Sequence, residues 1–179
     1  MFEHTLEYIG LQYTKFLYRK EKDTQQELTD FISHARTILI VLPVDYEDAQ
    51  AAGIAFRTIR DKLENKEITI VTEGIRSTSL SELPRSKVIR MSASHINKFF
   101  LPRQNFLDRL RETSYDVIIN LNLDFVLYTA YICKATGAKY RIGLADRAAD
   151  TFYNVQFNFN KAQPASNIYQ QFVQYLKMF

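Results

Sequence analysis

The sequence predicts an α/β domain with a mostly parallel sheet and helices on both faces of that sheet. Short apolar segments alternate along the chain with helical patterns of roughly ten or more residues, which is typical of βαβ units. Residues 37–42 read Thr-Ile-Leu-Ile-Val-Leu, a continuously apolar run expected of a strand that is covered on both sides. Right-handed crossovers between parallel strands then place helices on both faces.

The other elements follow from the same periodicities. Further strands are predicted at 68–72, 87–91, 116–121 and 140–143, with a strand or packed extended loop within 144–163. Longer helices are predicted at 2–20, about 45–63, 103–113, 125–136 and from Pro164 onward. Thr24 followed by Glu27 is a capping-box signature, which predicts a short helix that carries Leu28, Phe31 and Ile32. We expect residues 1–35 to form a helical extension of one domain that covers 36–179.

The composition fits one globular domain. Of 179 residues, 46% are hydrophobic and only five are glycine and four proline, which argues against a loop-dominated or disordered chain. The net charge of +3 comes from basic residues spread along the chain, so nucleic-acid binding, which needs a concentrated basic face, is not expected. The single cysteine, Cys133, excludes an intramolecular disulfide and fits a reducing compartment.

The sequence predicts a cytoplasmic protein that is at most peripheral at the inner membrane. No segment reaches the roughly 18 apolar residues that span a bilayer, and the N-terminus lacks the pattern of a signal peptide.

The N-terminal helix carries an apolar stripe that leaves three interpretations open. The stripe packs on the domain, which is the simplest interpretation, or forms an interface with a second copy or another protein, or lies on a membrane surface. Its apolar members are Phe2, Leu6, Ile9, Tyr13 and Phe16, and the basic end of the helix carries Lys15, Arg19, Lys20 and Lys22.

Ligands of an open parallel sheet bind beyond the carboxyl ends of its strands, near the point where the strand order reverses. The segments 43–48, 72–78 and 120–124 follow predicted strands and are the candidates. The first contains Asp45, Tyr46, Glu47 and Asp48 at a predicted helix start. Crowding of carboxylates raises a pKa and would suit a general base, although acidic residues at a helix start also serve capping alone.

The segment after the 116–121 strand carries an alternating polar set of Asn120, Asn122 and Asp124. These groups could hydrogen-bond the hydroxyls of a sugar. Alternatively, Asn122 and Asp124 satisfy the turn and cap the next helix.

Several kinds of site are not expected. Residues 43–48 lack the glycine-rich pattern that binds a dinucleotide phosphate, so no nicotinamide or flavin cofactor is predicted. His4, His34 and His95 are far apart and lack the spacing of metal ligands. No serine lies in a nucleophile-elbow pattern, which disfavours a serine hydrolase.

Taken together, several segments resemble glycosyltransferase family nine, the bacterial heptosyltransferases of lipopolysaccharide core assembly. The strand at 37–41 and the helix that ends in Ala-Phe-Arg-Thr-Ile at 55–59 resemble the opening elements of that family. Residues 115–122 resemble its fourth strand, and the run Thr-Gly-Ala-Lys-Tyr-Arg-Ile-Gly at 136–143 is the most similar. The resemblance covers about 36–179 and implies a Rossmann-like half of a GT-B enzyme, the half that binds the acceptor.

The resemblance also implies roles for single residues. Asp48 occupies the position of the family's loop aspartate, the expected catalytic base. The sequence departs from the family where Leu42, Val44 and Glu47 replace glycines and a basic residue of the loop, and where Asn120 replaces a strand-end aspartate. A helical threonine of the family is matched by Ala52.

Members of that family bind the nucleotide-sugar with a second Rossmann-like half, and this sequence ends at Phe179, where that half would begin. The chain is also similar to short uncharacterised proteins of Bacteroidetes-type bacteria. We therefore expect a stand-alone, non-catalytic binding or interaction protein. The alternative is a glycosyltransferase component of cell-envelope polysaccharide synthesis that acts on a sugar or lipid-linked acceptor with a separate donor-binding chain.

Overall fold

The centre of the molecule is a six-stranded sheet. The structure, a computed structural model, describes residues 2–23, 27–74 and 86–179. The strands are β1 (Thr37–Val41), β2 (Glu67–Glu73), β3 (Ser86–Met91), β4 (Val117–Asn120), β5 (Tyr140–Leu144) and β6 (Val155–Phe157). Their order across the sheet is β3-β2-β1-β4-β5-β6, and each neighbouring pair is parallel, which confirms the predicted fold class.

The longer helices lie within the stretches that the sequence predicts for them. They are α1 (Phe2–Tyr18), α3 (Tyr46–Phe56) continued by a 3₁₀ turn (Arg57–Ile59) and α4 (Arg60–Leu63), α5 (Gln104–Arg111), α6 (Leu127–Ala135) and α7 (Ala165–Lys177), while a short helix α2 covers Phe31–His34.

The short helix α2 begins later than predicted. Thr24, the first residue of the predicted capping box, lies outside the described residues. The backbone of Asp30 is left-handed, with φ of 53°, so a helix cannot run through it. Leu28 therefore lies outside the helix and is 39% exposed, whereas Phe31 and Ile32 belong to the helix as predicted and are buried.

Two apolar cores cover the two faces of the sheet. Side chains of β1 alternate between them, because successive residues of a strand point to opposite faces. Ile38 and Ile40 join the core formed with α2, α3 and α7, whereas Leu39 and Val41 join the core formed with α5 and α6. Helices therefore lie on both faces, as predicted.

Asp116 holds β1 and β4 together at the end of the sheet where both strands begin. Its Oδ2 accepts hydrogen bonds from Arg36 N at 2.7 Å, Thr37 N at 3.1 Å and Thr37 Oγ1 at 3.2 Å. Partial burial alone would raise the pKa of Asp116, but these hydrogen bonds outweigh it and hold the pKa below the usual range of aspartate.

The N-terminal helix α1 packs on the domain through small residues. Gly10 and Thr14 are buried, and the Gly10 backbone lies directly against the carbonyl of Phe99, so that a Cβ at position 10 would overlap its oxygen. At the end of α1, the ring of Tyr18 lies 6.1 Å from the ring of Tyr131 in α6. The close approach of α1 to the Phe99 carbonyl depends on the absence of a side chain at Gly10.

The predicted apolar stripe of α1 is largely exposed. Phe2 is 79% exposed, Ile9 46%, Tyr13 54% and Phe16 60%. Leu6 is half-buried, and Ile9 and Tyr13 line a cavity with Phe99, so the stripe lies at the edge of the contact and packs on the domain only in part. No helix in the described part of the chain is both long enough and apolar enough to cross a membrane.

Replacing Gly10 with alanine should loosen α1. Alanine favours an isolated helix by about 1 kcal/mol, but overpacking against Phe99 and Leu127 costs about 1–3 kcal/mol. We expect a net loss of stability and faster proteolytic cleavage within α1. Gln12→Ala on the exposed side of the same helix is the control and should not accelerate cleavage. Equal cleavage of both variants would contradict the close contact.

Replacing Asp116 with asparagine should destabilise the sheet at neutral pH and not in acid. The lowered pKa means that the charged carboxylate adds stability above the unfolded pKa of about 3.9, and that this stability is lost as the pH falls through the folded pKa. We expect a cost of about 1 kcal/mol at pH 7 from weaker hydrogen bonds, measured by denaturant unfolding. The difference should vanish near pH 2, and Asp61→Asn, at an exposed position, should show neither effect.

Candidate functional site

The strand order reverses between β1 and β4. The helix that follows β1 lies on one face of the sheet and the helix that follows β4 lies on the other, so the loops after these strands diverge and leave a crevice. The candidate segments 43–48 and 120–124 both lie at this crevice. The third, 72–78, follows the neighbouring strand β2 and is described only as far as Gly74.

Asn122 lies at the bottom of the crevice and forms hydrogen bonds to both loops. Its Oδ1 accepts a hydrogen bond from Val44 N at 2.9 Å, and its Nδ2 donates to Asn120 Oδ1 at 2.8 Å. The residue is only 8% exposed. Since Val44 follows β1 and Asn120 ends β4, this one side chain ties together the two strand ends that border the crevice.

Asn120 is 1% exposed and fully engaged inside the protein. Its Nδ2 donates to Tyr153 Oη at 2.7 Å and to Thr129 Oγ1 at 3.1 Å, and its Oδ1 accepts from Asn122 N at 3.1 Å. Tyr153 reaches it because Gly143 leaves room: a Cβ there would lie within 2.6 Å of the tyrosine ring. The two asparagines thus have a structural role, and their contact with a ligand stays a prediction.

The mouth of the crevice is acidic. Asp45 caps α3 as predicted, since its Oδ1 accepts a hydrogen bond from Asp48 N at 3.0 Å. Asp48 is half-buried in the first turn of α3, and its carboxylate makes no hydrogen bond or ion pair within residues 2–23, 27–74 and 86–179. Burial, followed by the charges of Asp45, Asp124 and Glu47, raises the pKa of Asp48, against the opposite pull of the helix N-terminus.

Asp124 borders the mouth on the β4 side. It is exposed and its Oδ1 accepts from Lys161 Nζ at 3.0 Å, a surface ion pair of little energetic weight. Tyr169 of α7 lies beneath the mouth, where its Oη donates to the carbonyl of Leu121 at 2.8 Å. Burial, together with the carboxylates of Asp48, Asp45 and Asp124, raises the pKa of Tyr169, so its hydroxyl stays protonated.

The remaining predicted residues, Tyr46 and Glu47, line a shallow groove of about 340 Å³ between α3 and α7. Ala51 and Ile54 supply part of its apolar floor, and Ser166 borders it from α7. Both Tyr46 and Glu47 are exposed. The predicted site residues thus fall into three groups. Asn120 and Asn122 are buried, Asp45, Asp48 and Asp124 lie at the acidic mouth, and Tyr46 and Glu47 line the adjacent groove.

The sequence did not predict the residues that form hydrogen bonds with the loops of the crevice. Tyr153 and Tyr169 are distant in sequence from the segments they support, whereas Thr129 lies in the helix that follows them. Each of the three stands next to an apolar residue that marks a core position. A tyrosine at a core position signals a buried hydroxyl that needs a partner, but the pattern does not identify that partner.

No metal or thiol chemistry is indicated by the described residues. Among them, no group of three or more histidine, cysteine, aspartate and glutamate side chains is placed to hold a metal ion. Cys133 is fully buried in α6, and burial raises the pKa of its thiol far above the usual range.

Three solved glycosyltransferase structures are similar in fold to this chain. A heptosyltransferase of Escherichia coli, WaaC, solved with ADP, matches with a TM-score of 0.61 and 18% identity over 78% of this chain and 46% of the enzyme. A glycosyl transferase of family 9 from Veillonella parvula matches with a TM-score of 0.58 and 13% identity, over 80% of this chain and 42% of that chain. WaaC with ADP-2-deoxy-2-fluoro heptose gives a TM-score of 0.56 at 17% identity.

At these identities the likeness concerns the fold, and this chain spans less than half the length of those enzymes. The predicted resemblance to family nine is confirmed at that level, for one half of the enzyme. No curated protein sequence matches the chain. A family model matches residues 10–179, and the chain therefore belongs to DUF6913, a family of unknown function.

Proposed function

We propose that the chain is a non-catalytic carbohydrate-binding protein that holds a sugar acceptor at the acidic mouth of the switch-point crevice. The observation that carries the proposal is the carboxylate of Asp48, which is half-buried beside the strand ends and has no partner among the described residues. Carboxylates accept hydrogen bonds from hydroxyl groups, and such charge-assisted bonds are stronger than neutral ones.

The charge of the mouth favours an acceptor over a nucleotide-sugar. Asp45, Asp48 and Asp124 create a negative potential where a ligand would enter. A diphosphate would be repelled there, whereas the neutral hydroxyls of a sugar would not. The groove between α3 and α7 adds the exposed ring of Tyr46, on which an apolar sugar face can pack.

The same charges argue against turnover by this chain alone. Sugar transfer from a nucleotide donor leaves a diphosphate whose developing negative charge must be stabilised by donors or cations. The mouth supplies carboxylates, and the nearby Lys161 is already paired with Asp124. Transfer also requires donor and acceptor to be held together in one geometry.

A second candidate is a glycosyltransferase component of cell-envelope polysaccharide synthesis. The raised pKa of Asp48 and the likeness to half of a heptosyltransferase favour it. In that case, Asp48 would take the proton of an acceptor hydroxyl as its oxygen attacks the anomeric carbon. The bond to the nucleoside diphosphate would break on a donor-binding chain, which would also stabilise that leaving group.

Replacing Asp48 with asparagine should weaken acceptor binding and leave the fold intact. Loss of one charge-assisted hydrogen bond of about 1.5–3 kcal/mol corresponds to roughly 10- to 100-fold in affinity. Calorimetric titration with neutral oligosaccharides, lipid-linked sugars and nucleotide-sugars would measure it, with Asp61→Asn as control. Preference for nucleotide-sugars, or turnover by the isolated chain, would contradict the first candidate.

Acceptor affinity should fall on acidification, beginning above the ordinary aspartate pKa of about 3.9. The raised pKa of Asp48 means that its carboxylate takes up a proton at a higher pH than an exposed aspartate, and the neutral acid is a weaker acceptor. Titrations from pH 7 downward should show this loss for the natural protein and a flatter profile for Asp48→Asn. Parallel profiles for the two proteins would rule out Asp48 as the titrating contact.

A further inference from the structure

We propose that the exposed face of α1 docks the protein on the surface of a membrane that contains anionic lipid. This inference concerns a surface distinct from the sugar site, because no residue of α1 lines the acidic mouth or the groove beside α3. Hereafter the exposed face is Phe2, Ile9, Tyr13, Phe16 and Leu17.

The exposed face is apolar along the whole helix. Its five side chains are 46–79% exposed, although each is a large apolar or aromatic residue. They lie beside the packed line of Gly10 and Thr14, and Ile9 and Tyr13 also border the cavity that Phe99 lines. The helix α1 therefore presents an apolar strip to solvent next to its contact with the domain. A helix of 17 residues is about 26 Å long at 1.5 Å per residue and can lie in the plane of an interface.

The acidic side chains of α1 lie away from the exposed face. Glu3 and Glu7 are spaced four and three residues from each other and from Gly10, and so continue the packed line. Beyond the helix, Glu21 is bound to Lys134 at 3.2 Å, and Asp23 is bound to both Lys134 and Arg141. The charges of Glu21 and Asp23 are thus neutralised by cations of the domain, whereas Glu3 is exposed beside the packed line.

Basic side chains follow the C-terminal end of α1, and one of them contacts the exposed face. The guanidinium of Arg19 lies 3.8 Å from the centre of the Phe16 ring, and Lys20 and Lys22 are exposed. In contrast to Glu21 and Asp23, these cations form no ion pair within the described residues. Basic residues next to a surface of anionic lipid each add to membrane affinity, and aromatic side chains favour the interfacial region.

Flotation of the full-length chain with lipid vesicles tests this proposal. Vesicles of phosphatidylcholine alone are compared with vesicles of roughly three parts phosphatidylcholine to one part phosphatidylglycerol. We expect binding to the mixed vesicles and at least about tenfold weaker partitioning of the double variant Ile9→Ser/Phe16→Ser. The charge variant Lys20→Gln/Lys22→Gln should lose the preference for anionic lipid, and high salt should have the same effect.

The control is Met178→Ser at the end of α7, since Met178 is an exposed apolar residue, 73% exposed, that lies outside α1 and the proposed sugar site. It should bind vesicles as the natural protein does, and circular dichroism should show that all variants are folded. The proposal is overturned if the natural protein does not float with the mixed vesicles, or if the α1 and Met178 variants bind equally. Sedimentation of the free protein supplies the remaining outcome: a dimer that Ile9→Ser/Phe16→Ser dissociates would assign the exposed face to a second copy of the chain.

Discussion

The geometry of the site depends on the hydrogen bonds of Asn122 across the switch point. The chain must diverge there, because helices α3 and α6 lie on opposite faces of the sheet. Divergence would expose polar backbone groups at the ends of β1 and β4, and an unpaired buried group costs about 1–3 kcal/mol. By accepting from the backbone Val44 N and donating to the side-chain Oδ1 of Asn120, Asn122 satisfies a backbone group after β1 and links it to the last residue of β4, which fixes the positions of the loops.

Because Asn122 fixes both loops, the crevice has an interior whose polar groups are hydrogen-bonded and a mouth whose carboxylates are accessible. The hydrogen bonds of Asn122 continue inward through Asn120 to Tyr153 and Thr129, so the polar groups at the bottom of the crevice are bonded to one another. Outside it, Asp45 caps α3 and Asp48 stands one turn further with its charge uncompensated. Among the described residues, the cation paired with these carboxylates is Lys161, which binds Asp124. Hydroxyl groups can donate to carboxylates without adding negative charge, which is the physical basis of the proposed sugar acceptor.

Much of the fold could be predicted because its signals are local. The continuous apolar run of β1 marks a doubly covered strand, and the spacing from Ala49 to Phe56 marks the buried side of α3. The contacts of α1 could not be predicted in this way. Large apolar residues dominate its helical pattern, but most of the predicted stripe is exposed. The helix approaches the domain at Gly10 and Thr14, beside Leu11, because small side chains allow a close contact. The polar set at 120–124 was recognisable, but its partners come from distant segments and only the fold brings them together.

Asn122 holds the two loops of the crevice together, and its side chain is not kept free to bind a ligand. The free energy of unfolding of Asn122→Ala, measured with denaturant, tests it most directly. If Asn122 is structural, the variant leaves buried partners unsatisfied and loses about 1–3 kcal/mol. Residues kept for binding are often unfavourable for stability, so a variant as stable as the natural protein, or more stable, would contradict the account and return Asn122 to the ligand.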